Sequence, residues 1–172
     1  LLFDLDGTLI LAGGAGRKAL NRAIENIYGI KQDCAVYNLG GKTDLRNFAE
    51  AISGAKGKRP SRPEIERVHE EYLRLLPAFV KKAVRLKAYT YPPGIKVLLK
   101  TLARRKDAIL ALGTGNMEKG ARIKLAPSGF NRYFPFGGYG SDSYHRPALL
   151  RAAYRRALKR KEGAGLKKKD VF

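Results

Sequence analysis

The sequence predicts an α/β fold: a Rossmann-like parallel sheet core interrupted near its start by an inserted α-helical cap. Three observations predict it. The chain opens on the apolar run Leu1-Leu2-Phe3-Asp4-Leu5, closed by Gly7, as a buried parallel strand delivering side chains to a loop would be. From residue 91 onward, strand-like runs alternate with helical periodicity, the pattern of a parallel sheet with crossover helices. Residues 14–90 carry helical periodicity only, so they form the insertion, and residues 1–13 and 91–172 form the core.

Each element follows from its apolar spacing and its punctuation. Leu20, Ala23, Ile24 and Ile27 share one face of a helix from about Gly16 to Tyr28, stopped by Gly29. Thr43 is placed to cap a second helix with the face Leu45, Phe48, Ala49 and Ile52. The basic Ser/Gly/Pro stretch from Ser53 to Pro60 is expected to be a loop. Ser61 and Glu64 have capping-box spacing with Pro63 in the first turn, opening a long helix that buries Ile65, Val68, Tyr72, Leu75, Leu76 and Phe79 and kinks at Pro77. Tyr91-Pro92-Pro93-Gly94 is the clearest break, and with Gly13-Gly14 it brackets the insertion as a pair of hinges. Beyond it come a short helix (Ile95, Leu98, Leu99, Leu102), then a strand from Ala108 to Leu112 that turns at Gly113-Thr114-Gly115-Asn116. A helix from about Met117 to Ser128, an aromatic strand around Phe134 to Phe136, a glycine-rich loop and a helix from about Pro147 to Lys161 complete the pattern.

Composition bounds the function classes. With 172 residues, 44% of them hydrophobic and 29% charged, the chain can bury a real core, which argues against disorder and collagen-like repetition. No segment approaches the roughly 20 apolar residues of a membrane-spanning helix. The single Cys34 cannot form an internal disulfide, and with two histidines it makes no zinc-type cluster, so a reducing, cytoplasmic setting is expected. The first residues carry two acids and no basic leader, which does not suit a signal peptide, and the missing initiator Met suggests a piece of a longer protein. Lys and Arg number 35 against 15 acids, a net +20, so nucleic acid, anionic lipid and phosphorylated small molecules all become candidate partners. The cations are spread over many faces and concentrate only in residues 151–169, where nine stand against Glu162 alone. Without aromatic companions they favour, at most, non-specific nucleic acid binding over base stacking.

The chemistry concentrates at the end of the first strand. Asp4 and Asp6 stand two residues apart where open α/β sheets bind ligands. One carboxylate can attack an electrophile while the other trades a proton with the leaving group, and both can offer oxygens to a hard cation. Gly7 lets the backbone turn, and the amides around Gly7 and Thr8 can donate to phosphate oxygens. An ordinary turn would also use aspartates at a strand end, and Thr114 could equally be the cap of the helix that follows it.

Phe3-Asp4-Leu5-Asp6-Gly7-Thr8-Leu9 resembles the first signature motif of the haloacid dehalogenase-like hydrolase superfamily. Leu112-Gly113-Thr114-Gly115-Asn116, Ala121-Arg122-Ile123-Lys124-Leu125 and Phe136-Gly137-Gly138-Tyr139-Gly140-Ser141-Asp142 with Arg146 resemble its phosphoglycolate-phosphatase-like branch, in order and over nearly the whole chain. The resemblance implies a magnesium-dependent phosphatase of small phosphorylated metabolites, with Asp4 as nucleophile and Asp6 as acid and base. A second acid favours phosphoryl transfer over carbon–halogen cleavage, which leaves a sugar-phosphate mutase as the near alternative and a catalytically incomplete nucleic-acid-binding protein as the distant one. Thr114 would hydrogen-bond the phosphoryl group, flanked by Gly115 and Asn116. Arg146 stands where the family carries a lysine, with Lys124 as its rival inside a helix. Lys42 and Thr43, in Gly40-Gly41-Lys42-Thr43-Asp44, would read the leaving group. Magnesium would take Asp4 and the backbone carbonyl of Asp6. The acidic pair of the fourth motif has no counterpart before the chain stops at Asp170-Val171-Phe172, so the core is expected to be incomplete there, with Val171 starting a further strand and Asp142 the nearest replacement acid. His69, His145, Cys34 and Met117 receive no role.

Overall fold

A computed structural model of the chain describes residues 1–160, 163 and 165–171; Lys161, Glu162 and Phe172, which enter the readings above, lie outside the described residues. In chain order the elements are β1 (Leu2–Phe3), β2 (Leu11–Ala12), α1 (Ala15–Tyr28), α2 (Asp44–Lys56), α3 (Arg62–Arg85), β3 (Tyr89–Thr90), α4 (Ile95–Leu102), β4 (Ala111–Gly113), α5 (Glu118–Leu125), β5 (Gly137–Gly138) and α6 (Arg146–Leu158). Strands β1, β4 and β5 form a parallel sheet in the order β1-β4-β5, with Leu2 opposite Ala111 and Leu112 opposite Gly137. The sheet is the expected Rossmann-like α/β arrangement. Where the chain leaves the sheet and returns to it, β2 and β3 pair antiparallel, Leu11 with Thr90 and Ala12 with Tyr89.

The apolar faces read from the sequence are the buried ones. Leu20, Ala23 and Ile24 of α1, Phe48 and Ile52 of α2, and Ile65, Val68, Tyr72 and Leu76 of α3 are buried in one cluster with Leu5, Leu9, Ile10 and Leu112 beside the sheet. Gly29 ends α1 in the left-handed conformation (φ 70°), and the side chain of Glu64 accepts the Ser61 N–H at 2.8 Å, as a capping box should. Pro77 lies inside a continuous 24-residue α3.

Several boundaries differ from the sequence reading, each for a local reason. Helix α2 runs through Ser53 to Lys56 and stops at Gly57 (φ 67°), so only the end of the expected loop is a loop. The aromatic strand shifts from Phe134–Phe136 to Gly137–Gly138, because only glycine fits there: a Cβ on Gly138 would lie 1.9 Å from the Leu149 carbonyl oxygen of α6. Phe134 instead closes a short 3-10 turn and is fully buried. Leu98 of α4 is exposed, while Ile95 and Leu99 carry the contact. Among the described residues Val171 opens no strand. The Asp170 N–H donates to the Lys167 carbonyl and its carboxylate accepts the Lys167 N–H, folding residues 167–170 into a 3-10 turn. Strand β1 therefore has a strand neighbour on one side only among the described residues.

Candidate active site

A cleft of about 520 Å³ opens at the carboxyl ends of β1 and β4, with Asp4, Asp6, Thr114 and Arg146 on its sheet side and Lys42, Asp44 and Tyr72 on its helical side. Asp4 follows β1 directly. Its Oδ1 accepts the Leu5 N–H at 2.8 Å, and its Oδ2 accepts from Arg146 Nη2 at 2.9 Å. Arg146 is the first residue of α6, so the helix that follows the third strand aims its guanidinium back across the sheet end. Both partners are about one-third exposed, open enough for a ligand to reach them.

Asp6 is held differently. Its Oδ2 accepts from Asn116 Nδ2 and from Lys124 Nζ, both at 2.8 Å, and Lys124 donates a further bond of 2.6 Å to Asn116 Oδ1. Thr114 Oγ1 accepts from the Asn116 N–H at 3.2 Å and from its side-chain amide at 3.0 Å. One asparagine amide thus ties Asp6 to the end of β4. Met117, not Thr114, is the cap of α5, so the simple helix-cap alternative for Thr114 fails.

The two basic rivals share the work. Arg146 takes Asp4 and Lys124 takes Asp6. Lys124 lies about 9 Å of helical rise beyond the start of α5, but helical side chains lean toward the helix N-terminus and its four-carbon stem covers the rest. Its side chain is 8% exposed. Burial by itself would lower its affinity for a proton, yet Tyr72, Asp6 and Asp44 together raise it above the usual lysine range, so the group is a fixed cation.

By sequence alone Asp44 belongs to a glycine-rich segment and Tyr72 to the core. Asp44 is the first residue of α2, and it crosses to the sheet side twice: its N–H donates to the Gly115 carbonyl at 2.8 Å, and its Oδ2 accepts the Met117 N–H at 2.9 Å. Burial pushes its carboxyl up to about 6, against the pull of Lys124 and the Met117 hydrogen bond. Burial likewise pushes the Tyr72 hydroxyl up. The approach is close enough that a Cβ on Gly115 would sit 2.2 Å from the Lys42 carbonyl oxygen.

Four expectations are corrected. Lys42 lines the cleft, but its ammonium is bound to Glu50 Oε2 at 2.5 Å, so it is not a free anion reader. Thr43 is buried and its hydroxyl donates to the Tyr144 carbonyl at 3.5 Å rather than capping α2. The Gly7 and Thr8 amides donate within their own turn, to the Ile10 and Leu5 carbonyls, and of the two only Gly7 lines the cleft. Asp142 is no replacement acid: Arg156 grips both its oxygens at 2.6 and 2.7 Å and the Tyr139 N–H donates to it, away from the cleft.

Magnesium finds only part of a site. Each oxygen of Asp4 already accepts a donor, and Asp6 Oδ2 accepts two. Among the described residues no group of three or more His, Cys, Asp or Glu side chains is placed to hold a metal. Two aspartates bound by protein cations do not complete the oxygen shell that magnesium demands.

No protein-family model and no curated protein matches the chain. Solved structures do. CbbY from Rhodobacter sphaeroides, in complex with phosphate, superimposes with a TM-score of 0.69 at 22% identity over 90% of this chain and 70% of that one. A haloacid dehalogenase-like family protein, SP0104 from Streptococcus pneumoniae, follows at 0.58 and 18%, over 90% and 68% of the two chains. A predicted phosphoglycolate phosphatase from Haemophilus somnus 129PT gives 0.57 and 20%, over 83% and 63%. The chain has the haloacid dehalogenase-like fold. In that fold Asp4 and Asp6 sit at the end of the first strand, beside the turn that follows the second.

Proposed function

We propose that the chain carries the catalytic site of a phosphatase that hydrolyses small phosphomonoesters through an aspartyl-phosphate, with residues 14–90 as a cap over a core of residues 1–13 and 91–172. The observation that carries this reading is the pair Asp4 and Asp6 in one cleft, each with its own cation, Arg146 and Lys124. The fold it shares with CbbY, which was solved with phosphate, supports it.

The chemistry follows from those contacts. An Asp4 oxygen attacks phosphorus, the bond from phosphorus to the substrate oxygen breaks, and Asp6 gives that oxygen a proton. Water then attacks the aspartyl-phosphate while Asp6 takes its proton, the Asp4–phosphorus bond breaks, and inorganic phosphate and the Asp4 carboxylate are restored. Arg146 follows the charge that leaves Asp4, and its fork suits phosphoryl oxygens. Thr114 and Asn116 orient the second carboxylate. Magnesium, which the resemblance implies, would be held by Asp4 and the backbone carbonyl of Asp6 and would add charge neutralisation there; the described side chains do not complete its shell. The cleft has room for a metabolite-sized phosphate ester.

The test is Asp4→Asn. It should abolish formation of an acid-stable, hydroxylamine-sensitive phosphoenzyme and all turnover of phosphomonoesters. Full turnover by this variant refutes the assignment of the nucleophile.

A further inference from the structure

Lys124 occupies a position that phosphoryl transfer alone does not explain. Its ammonium has three N–H donors. Those donors meet Asp6 Oδ2 at 2.8 Å and Asn116 Oδ1 at 2.6 Å on the sheet side. On the other side it faces α1, α2 and α3. A Cβ on Gly16 of α1 would meet Lys124 Nζ at 3.1 Å and the Tyr72 hydroxyl at 3.4 Å, so the two polar heads lie together over this glycine. On α5 itself, a Cβ on Gly120 would meet Tyr72 Cε1 at 3.6 Å and Asp44 Oδ2 at 3.9 Å. Glycine at position 16 leaves room for the lysine and the α3 phenol together, and glycine at position 120 leaves room for that phenol beside the Asp44 carboxylate of α2.

A buried ammonium needs anions around it, and a buried carboxylate needs a cation. Asp44 is almost fully buried and makes two of the hydrogen bonds that join the start of α2 to the sheet side. Asp6 is half exposed and free to rotate without its partners. We propose that Lys124 is a positioning residue that couples the seating of α2 and α3 on the core to the orientation of Asp6. When α2 is seated, the Tyr72 hydroxyl and the Asp44 carboxylate add negative potential around the ammonium that binds Asp6. When α2 lifts away, Lys124 loses those neighbours, and Asp6 loses a fixed anchor.

Native-state hydrogen exchange of the full chain tests the coupling without any substrate. The Asp44 and Met117 amides, which make two cross-cleft backbone N–H hydrogen bonds, are the reporters, and the Ala23 and Ile24 amides in the core of α1 are the reference for global opening. Lys124→Met should speed exchange at the two reporters at least tenfold more than at the reference, and Lys124→Arg should recover most of the protection. Asp6→Asn should also speed the reporters, and the double variant should be no faster than Lys124→Met alone. Lys119→Met, on the exposed face of the same helix, should change neither. Unchanged reporters in Lys124→Met, or additive effects of the two changes, overturn the coupling.

A second measurement rests on the phosphatase reading. Lys124→Met should slow an alkyl phosphate, whose leaving group needs a proton, at least tenfold more than an aryl phosphate with an activated leaving group. Equal losses on both substrates overturn the positioning of Asp6. A wild-type chain inert toward both refutes the proposed function, and the exchange cycle then decides the coupling by itself.

Discussion

Replacing Asp44 with asparagine removes one ionisable group from the seam between α2 and the core while keeping an acceptor for the Met117 N–H. In the folded protein burial pushes the Asp44 carboxyl from its ordinary 3.8 up to about 6. Below pH 3.8 the carboxyl is protonated in both the folded and the unfolded chain, and it contributes no pH dependence. Between 3.8 and about 6 the folded chain keeps a proton that the unfolded chain has released, so the stability this group contributes at low pH is lost as pH rises. Above 6 both forms are ionised and the loss levels off. A difference of about 2 units at 1.36 kcal/mol each gives about 3 kcal/mol. Thermal melts or urea titrations of wild type and Asp44→Asn from pH 3.5 to 7.5 isolate it, because every other titrating group is common to both proteins. The stability of the variant minus that of wild type should grow by about 3 kcal/mol across this range, or roughly 6–12 °C in Tm for a chain of this size. A difference that stays constant with pH refutes the argument that Asp44 is held in a poorly solvated seam.

Gly115→Ala should cost about 1–3 kcal/mol, since its Cβ would stand 2.2 Å from the Lys42 carbonyl and neither backbone can swing aside; wild-type stability in urea would show that α2 does not approach so closely. Cys34 is fully buried and its thiol is pushed up to about 11, so a thiol-exchange reagent should modify it only as fast as the protein opens, and immediate labelling would contradict the packing of α1 on its neighbours. The outer face of α6 carries Arg151 and Arg155 on successive turns, with Lys159 capping its end and no acid in the helix. Polyanion binding there should be weak, indifferent to sequence and steeply lost between roughly 50 and 200 mM salt. A salt-resistant, sequence-selective complex would show base readout instead.

The sequence by itself determined which residues are inside and which segment carries the chemistry. Leu20, Ala23 and Ile24, or Ile65, Val68, Tyr72 and Leu76, announce their helices by spacing alone, because burial of one face is a local, periodic requirement. Asp4 and Asp6 were legible for a similar reason: they lie two residues apart, so a single strand end brings them together. The strand at Gly137–Gly138 was less legible, since its residues are chosen by what crosses above them and not by strand propensity.

Only the tertiary structure decided how the charges are shared. Lys42 and Glu50, and Asp6 and Lys124, are separated by 8 and 118 residues, and Asp44 meets the Met117 backbone N–H across 73. Nothing in local periodicity says which acid meets which base at such distances. Lys124 stands inside a helix, and the lean of its side chain, with the room left at Gly16, brings it to Asp6. Lys42, beside a helix N-terminus, looked free, and Glu50, two turns along the same helix, had already claimed it. Burial periodicity is a property of one segment, whereas the pairing of charges belongs to the packed whole, because it is set by which side chains the fold removes from water together.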